Sequence, residues 1–280
     1  MSEAATQKAA AVIDLDRIVQ EYPRPEGGVN RVVDELTLRF QGPSINMLLG
    51  PSGCGKSTLL YMMGGVRPQN TNMPTSGTIS VDGEPCHDAH DDAVMVFQRY
   101  ANRPDLTVYD NVAFPFRLKL WRDRVSPQQQ REIVMRMLEA VGLADKAKLR
   151  PSQLSGGQNQ RIALARALVL KPRILLMDEP FGALDAQTRE EMQKLLVRLY
   201  VEYPCLIVFV THDVTEALLL GDRVVVLSTQ PARIADDFEI AAPKPRDSGW
   251  LRMPEAMALE QRILSRLHQT SGRGNMRVTV

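Results

Sequence analysis

Apolar residues along this chain fall into short, nearly unbroken runs, each stopped by turn residues or by an acid. Ile45-Asn46-Met47-Leu48-Leu49, Val94-Met95-Val96-Phe97, Ile174-Leu175-Leu176-Met177, Cys205-Leu206-Ile207-Val208-Phe209-Val210-Thr211 and Val224-Val225-Val226-Leu227 are such runs. Their length and their lack of alternation predict strands buried on both faces, as in a parallel sheet. Elsewhere the period changes. Ser57-Thr58-Leu59-Leu60-Tyr61-Met62-Met63 reads as a helix stopped by Gly64-Gly65. Ser126-Pro127 is an N-cap and first-turn pair; Ile133, Met137, Leu138 and Val141 then recur at helical spacing, and Gly142 terminates. Asn159 to Leu168 is rich in strong helix formers. Beyond Ile240, Pro243 and Pro245 mark a linker, Pro254 opens a helix, and Ala256, Leu259, Ile263 and Leu267 form an apolar stripe on it.

Strands and helices alternating over 13–97 and 174–227, with a helical block between them, predict the α/β class. The expected division is a main domain over 13–240, a helical subdomain at about 99–170 within it, and a linker and helix over 241–280. The stripe on the last helix fits packing on its own domain or docking of a partner, and 271–280 reads as disordered. Gln69 to Pro74 reads as a polar surface loop, and Met1 to Val12 as a frayed tail without the sustained apolar core of a signal peptide.

Composition changes this picture little. The chain has 280 residues, 44% hydrophobic and 24% charged, which suits an ordinary globular protein with a full core. A net charge of +1 gives no strong field to argue for nucleic acid or an anionic membrane, and no apolar run is long enough to span a bilayer. Cys54, Cys86 and Cys205 show no paired spacing, so a reducing cytosol is the simplest setting. Cys86 to Asp92 offers zinc-type ligands, but without a second cluster it reads better as a variable loop.

The chemistry starts between the first apolar run and its helix. Gly50-Pro51-Ser52-Gly53-Cys54-Gly55-Lys56-Ser57-Thr58 fits the phosphate-loop pattern G-x-x-x-x-G-K-[ST]. Its glycines let successive backbone N–H groups turn onto phosphate oxygens, and the helix start adds partial positive charge. Lys56 supplies a full charge, and the Ser57 hydroxyl can ligate Mg²⁺. Asp178 ends another buried run, at the sheet edge where ligands bind, and can hold Mg²⁺ opposite Ser57. Glu179 beside it can accept a proton from an attacking water. His212, which follows the run ending at Thr211, can hydrogen-bond a γ-phosphate oxygen or orient the water.

Leu154-Ser155-Gly156-Gly157-Gln158 is more restrictive. A Ser-Gly-Gly turn opening a helix makes a second anion site within one chain. The economical reading is that the two sites serve different copies: in a two-fold dimer the loop of one closes against the Ser155 turn of the other. With these motifs the chain resembles the nucleotide-binding subunit of ATP-binding cassette transporters over about 13–240. The resemblance implies a RecA-like P-loop NTPase core with an antiparallel β subdomain and an inserted α-helical subdomain.

Residue by residue, it implies that Gly50 to Thr58 is the Walker A loop, and that Gln98 contacts Mg²⁺ and water and reports to a membrane subunit. It makes Ser155, Gly156, Gly157 and Gln158 the signature, Asp178 and Glu179 the Walker B acid and catalytic base, Asp185 the loop at the dimer seam, and His212 the switch histidine. Tyr22, ahead of the first β-element, is similar to the aromatic that stacks on adenine. Arg99 to Pro115 corresponds to the surface that receives a coupling helix. The implied ligands are ATP and Mg²⁺. The implied partners are a second copy, polytopic membrane permease subunits and, indirectly, a periplasmic solute-binding protein. The implied location is peripheral, on the cytoplasmic face of the inner membrane.

Leu227-Ser228-Thr229-Gln230-Pro231-Ala232-Arg233-Ile234, and the Pro-Arg run from Pro243 to Arg246, are similar to the nitrate, sulfonate, taurine and bicarbonate importer group. Gln158-Asn159-Gln160-Arg161 and Arg103-Pro104-Asp105 depart from that group's usual residues. An exporter or lipid-transport cassette shares every catalytic residue and stays open as an alternative. A soluble cassette acting on DNA or ribosomes fits less well, because the chain has one set of motifs and no sustained heptads.

Overall fold

The computed structural model describes residues 10–67, 72–98, 101–118 and 124–271. In chain order it contains β1 (Val12–Pro23), β2 (Val29–Gln41), β3 (Ser44–Leu49), α1 (Lys56–Met63), β4 (Ser76–Val81), β5 (Glu84–Pro85) and β6 (Ala93–Val96). The helices α2 (Val108–Ala113), α3 (Pro127–Ala140) and α4 (Gly156–Leu168) follow. Next come β7 (Ile174–Asp178), α5 (Ala186–Glu202), β8 (Leu206–Thr211), α6 (Val214–Leu220), β9 (Arg223–Leu227), β10 (Ile234–Glu239) and α7 (Pro254–Ser271).

Two sheets organise them. The larger has the order β10-β9-β3-β8-β7-β6, parallel except for β10 at its edge. The smaller is antiparallel, in the order β2-β1-β4-β5. The unbroken apolar runs now have their reason. Met47, Leu175, Met177, Ile207, Phe209, Val224 and Val226 face one core with the helices of the middle segment and α5 to α7. Leu48, Leu176, Val208, Val210 and Val225 face a second core with α1 and the antiparallel sheet. Each central strand is buried on both faces, so alternation in direction leaves no alternation in polarity.

Several expectations change. The span 13–97 does not alternate: among its described residues α1 is the single helix, and the rest is mostly strand. Tyr22 lies inside β1, paired with Asn30, rather than ahead of the first strand. Val12 already begins β1, and residues 1–9 lie outside the described residues. Of the polar loop, 68–71 lie outside them too, while Met73 is buried in the core and receives the Tyr22 hydroxyl at 3.8 Å. Of Arg99 to Pro115, 99–100 lie outside the described residues and the rest is not all loop. It contains α2, whose fully buried Asn111 accepts from Arg103 N–H at 2.8 Å and donates to three backbone carbonyls. Phe97, Leu118 and other surface apolars aside, no described helix is long and apolar enough to cross a membrane.

α3 and α4 begin as the sequence predicts, each with a reciprocal capping box: Ser126 with Gln129, and Ser155 with Gln158. α7 packs on α6, β9 and β10, with Ala256 and Ile263 buried and Leu259 and Leu267 against the same core. Residues 272–280 are outside the described set. Arg246 in the preceding linker is 9% exposed, and its guanidinium donates to the carbonyls of Leu218, Gly221, Ile240 and Ala242. It also lies 5.2 Å from the Trp250 ring centre. One cation thereby fastens the C-terminal segment to the end of α6. Replacing Arg246 by Ala leaves those carbonyls without their donor and should cost about 2–3 kcal/mol, read from the urea unfolding midpoint. A loss below about 0.5 kcal/mol, the range of ordinary surface substitutions, would contradict this role.

Candidate functional site

Three neighbouring strands, β3, β8 and β7, run parallel and end together at one edge of the larger sheet. Each carries chemistry just past its last residue. β3 leads into Gly50 and the phosphate loop, β7 ends on Asp178 and leads into Glu179, and β8 leads into His212. This is the carboxyl edge, where an open α/β sheet places its ligand.

The loop wraps the start of α1. Gly55, at φ 113°, is its N-cap and provides no side-chain cap, so the first backbone N–H groups of α1 have no side-chain acceptor. Lys56 is 4% exposed, and its Nζ donates to the carbonyls of Gly50 at 2.8 Å and Pro51 at 2.9 Å. Its other neighbour is Glu179 Oε1 at 3.9 Å. Ser52 and Gly53 are exposed at the tip, Ser57 and Thr58 half-buried on the helix. Ser57 Oγ donates to Asp178 Oδ1 at 2.8 Å. Tyr61, one turn further, adds its hydroxyl to Asp178; burial first, then that carboxylate, raises the pKa of the phenol.

Glu179 is held in the left-handed region at φ 41°, an uncommon and costly conformation for this residue. Its N–H donates to Val210 O at 3.1 Å, which fixes the bend. The bend brings Oε2 to 3.1 Å from Nδ1 of His212. Gln98 is exposed after β6, with its amide beside Gly182 and the Glu179 carboxylate. Ser57 thus meets Asp178, while Lys56 and His212 both approach the Glu179 carboxylate.

Below His212 lies a network of residues that no motif singles out. Thr211 Oγ1 donates to Glu216 Oε2 at 2.7 Å, and Gln193 Nε2 donates to Glu216 Oε1 at 3.2 Å. Burial raises the pKa of Glu216, which is 5% exposed. Asp213 caps α6 and receives Arg189 Nη1 at 3.4 Å. These residues fix the segment that presents His212. Tyr61 had a usable signal, one helical turn from Ser57; Gln193 and Glu216 had none, since their pairing joins two helices.

The Ser155 turn stands apart. It lines a different recess of about 220 Å³, with Gly142, Arg161, Thr188 and Glu191, and no phosphate-loop residue lines that recess. Ser155 Oγ accepts from Gln158 N at 3.3 Å, so its own hydroxyl hydrogen stays available to donate outward. Gly156 is exposed beside it, and Gly157 lies against Thr188. Asp185 caps α5: its carboxylate accepts from Thr188 N at 3.0 Å and Thr188 Oγ1 at 2.7 Å, bonds that lower its pKa. Asp185 thus holds Thr188, the residue that packs against Gly157 of the signature turn.

Two further expectations meet the geometry. Cys54 is 2% exposed and burial raises its thiol pKa, so within the phosphate loop it is a packed side chain. In the Cys86 to Asp92 stretch, Cys86 Sγ faces the Met63 and Asp88 carbonyls and His90 Nδ1 accepts from Asp92 N. No group of three or more metal-type ligands gathers among the described residues. Tyr22 is half-buried against the core of the antiparallel sheet.

Known proteins are similar to this chain in sequence and fold. The ABC transporter family profile matches residues 33–182. The chain is 39% identical over 247 residues to a nitrate import ATP-binding protein, NrtD, of Synechococcus elongatus, covering 88% of this chain and 87% of that one. It is 40% identical over 240 residues to an aliphatic sulfonates import ATP-binding protein, SsuB 3, of Pseudomonas syringae pv. tomato, covering 86% and 82%. Among solved structures it resembles the ATP-binding cassette MJ0796, described as a dimer in a post-hydrolysis state bound to ADP and Pi, at a TM-score of 0.69 and 30% identity over 82% of this chain and all of that one. With the family profile matching more than half of the chain and these relatives covered over most of their length, the chain belongs to the ABC transporter family.

Proposed function

We propose that this chain is the ATP-hydrolysing subunit that energises a membrane importer of a small anion such as nitrate, sulfonate, taurine or bicarbonate. The observation that carries the ATPase reading is the buried Lys56 ammonium at an uncapped helix start, 3.9 Å from Glu179, which is itself 3.1 Å from His212. The likeness to import subunits for nitrate and sulfonates supports the cargo class.

ATP would lie along the phosphate loop, with Lys56 exchanging its backbone carbonyls for β- and γ-phosphate oxygens. Ser57, Asp178 and Gln98 supply hydroxyl, carboxylate and amide oxygens, a donor set that suits Mg²⁺. That ion, when bound, would offset charge on the phosphates. Glu179 then takes the proton of the attacking water, and His212 holds Glu179 and the transferred group in line. Tyr22 is the proposed platform for adenine.

The Ser155 turn cannot close on its own chain's loop without leaving the recess it lines. A second copy related by a two-fold axis would bring Ser155, Gly156, Gly157 and Gln158 to the γ-phosphate, with Asp185 at the seam. The polytopic permease would dock in the groove of about 400 Å³ beside Gln98, lined by Val94, Met95, Phe97, Leu118 and Ala163. A peripheral position on the cytoplasmic face of the inner membrane, with a periplasmic solute-binding protein engaged only through the permease, follows from that docking.

Replacing Glu179 by Gln should lower hydrolysis about a hundredfold or more, while ATP still binds and the dimer accumulates in light scattering. Undiminished turnover would remove Glu179 as the base. Alkylation by N-ethylmaleimide should reach Cys54 slowly in the folded protein and quickly in urea. Rapid labelling of the folded chain at Cys54, blocked by ATP, would show the thiol to be open.

A further inference from the structure

The turn between β9 and β10 carries the residues that mark the importer group, yet the reading above gives it no task. It runs alongside the phosphate loop. Gln230, exposed in that turn, donates from Nε2 to the carbonyl of Gly53 at 2.7 Å. Gly53 stands at the loop tip at φ 74°, and a Cβ added there would meet nothing within 4 Å. The tip is thus open, and this hydrogen bond from outside the loop reaches it.

The turn itself is braced. Ser228 Oγ donates to Pro231 O at 3.1 Å and accepts from Arg233 N at 3.0 Å. Ala232 N donates to Val32 O at 2.8 Å, and Asp34 N to Ala232 O at 3.2 Å, which ties the turn to β2. Arg233 Nε donates to Asp34 Oδ2 at 2.9 Å, and Asp34, 7% exposed, also takes Arg31 Nη1 at 2.8 Å. Arg31 Nε continues to Glu21 Oε1 at 2.8 Å. Glu21 precedes Tyr22. A chain of ion pairs and hydrogen bonds therefore runs from the strand beside the proposed adenine platform to the tip of the phosphate loop.

We infer that Gln230 is a positioning residue for the nucleotide: its amide fixes the Gly53 carbonyl and so holds the tip of the phosphate loop ready for the triphosphate. A free carbonyl oxygen at that tip adds partial negative charge beside an anion, whereas one engaged by a donor has that charge offset. Holding the tip also removes conformations that binding would otherwise have to freeze out. The inference rests on the nucleotide-binding reading of the loop.

The test is the nucleotide Kd of the full chain, titrated with a fluorescent ATP analogue, together with steady-state kinetics. Gln230→Ala should weaken binding about 2–10-fold, the range of one net hydrogen bond, and raise KM by a similar factor with kcat at saturation unchanged. Gln230→Lys, which keeps a donor of comparable reach, should bind at least as tightly as the parent. Gln230→Glu, which removes the donor and adds charge, should bind more weakly than Gln230→Ala and recover with salt. The exposed side chain predicts an unchanged Tm without nucleotide. An unchanged Kd in Gln230→Ala overturns the inference, as does a loss of affinity that tracks a lowered Tm of the nucleotide-free protein. Failure of the parent chain to bind the analogue would instead sink the nucleotide-binding reading.

Discussion

A buried ammonium with no carboxylate in hydrogen-bond contact is the constraint around which this molecule is arranged. Lys56 is almost wholly covered, its charge is met by the Gly50 and Pro51 carbonyls, and Glu179 stands off at 3.9 Å. Removing an ammonium from water costs several kcal/mol, and two carbonyl dipoles offset only part of that. The uncapped start of α1 adds positive potential at the same place. A polyanion answers both demands at once.

The fold makes that arrangement possible by ending three parallel strands at one edge. Register between β7 and β8 sets Asp178 opposite Val210, so Glu179 and His212 leave adjacent strand ends almost level. The left-handed bend at Glu179 then turns its carboxylate between Lys56 and His212. Strain of about 1–3 kcal/mol at such a residue is tolerable because the surrounding core, buried on both faces of the sheet, holds the strand ends fixed. The serine–glycine turn obeys a different geometry. Its helix belongs to the block between β6 and β7, and Thr188 at the start of α5 packs against Gly157. No phosphate-loop residue lines the recess of the Ser155 turn, which is the physical argument for a second copy.

Much of this could be read before the structure. Strands buried on both faces print themselves as unbroken apolar runs, so β3, β7, β8 and β9 were visible, as were the helix starts at Ser126 and Ser155. Most of the misreadings share a cause, a partner distant in sequence. Tyr22 looked like a residue ahead of the sheet because β1 twists and bulges, and its register shifts break the alternation that would have extended the strand. Met73 looked like part of a polar loop because its neighbours are polar, although its side chain fills a gap beneath Tyr22. α2 is six residues long and gains its stability from Asn111 bonding back to the loop before it, which leaves too short a period to detect. Glu216 and Gln193 meet across two helices and have no signature in either.

The central claim is that the phosphate loop of one copy and the Ser155 turn of another make one site. Mixing two variants tests it most directly. A Lys56→Ala chain lacks the loop cation, and a Ser155→Arg chain lacks the closing turn. Each alone should be inactive, and their mixture should regain ATP hydrolysis, because a mixed dimer restores one complete site from the two intact halves. A mixture as silent as its parts, or a Ser155→Arg chain that hydrolyses ATP at the parent rate, would contradict the account.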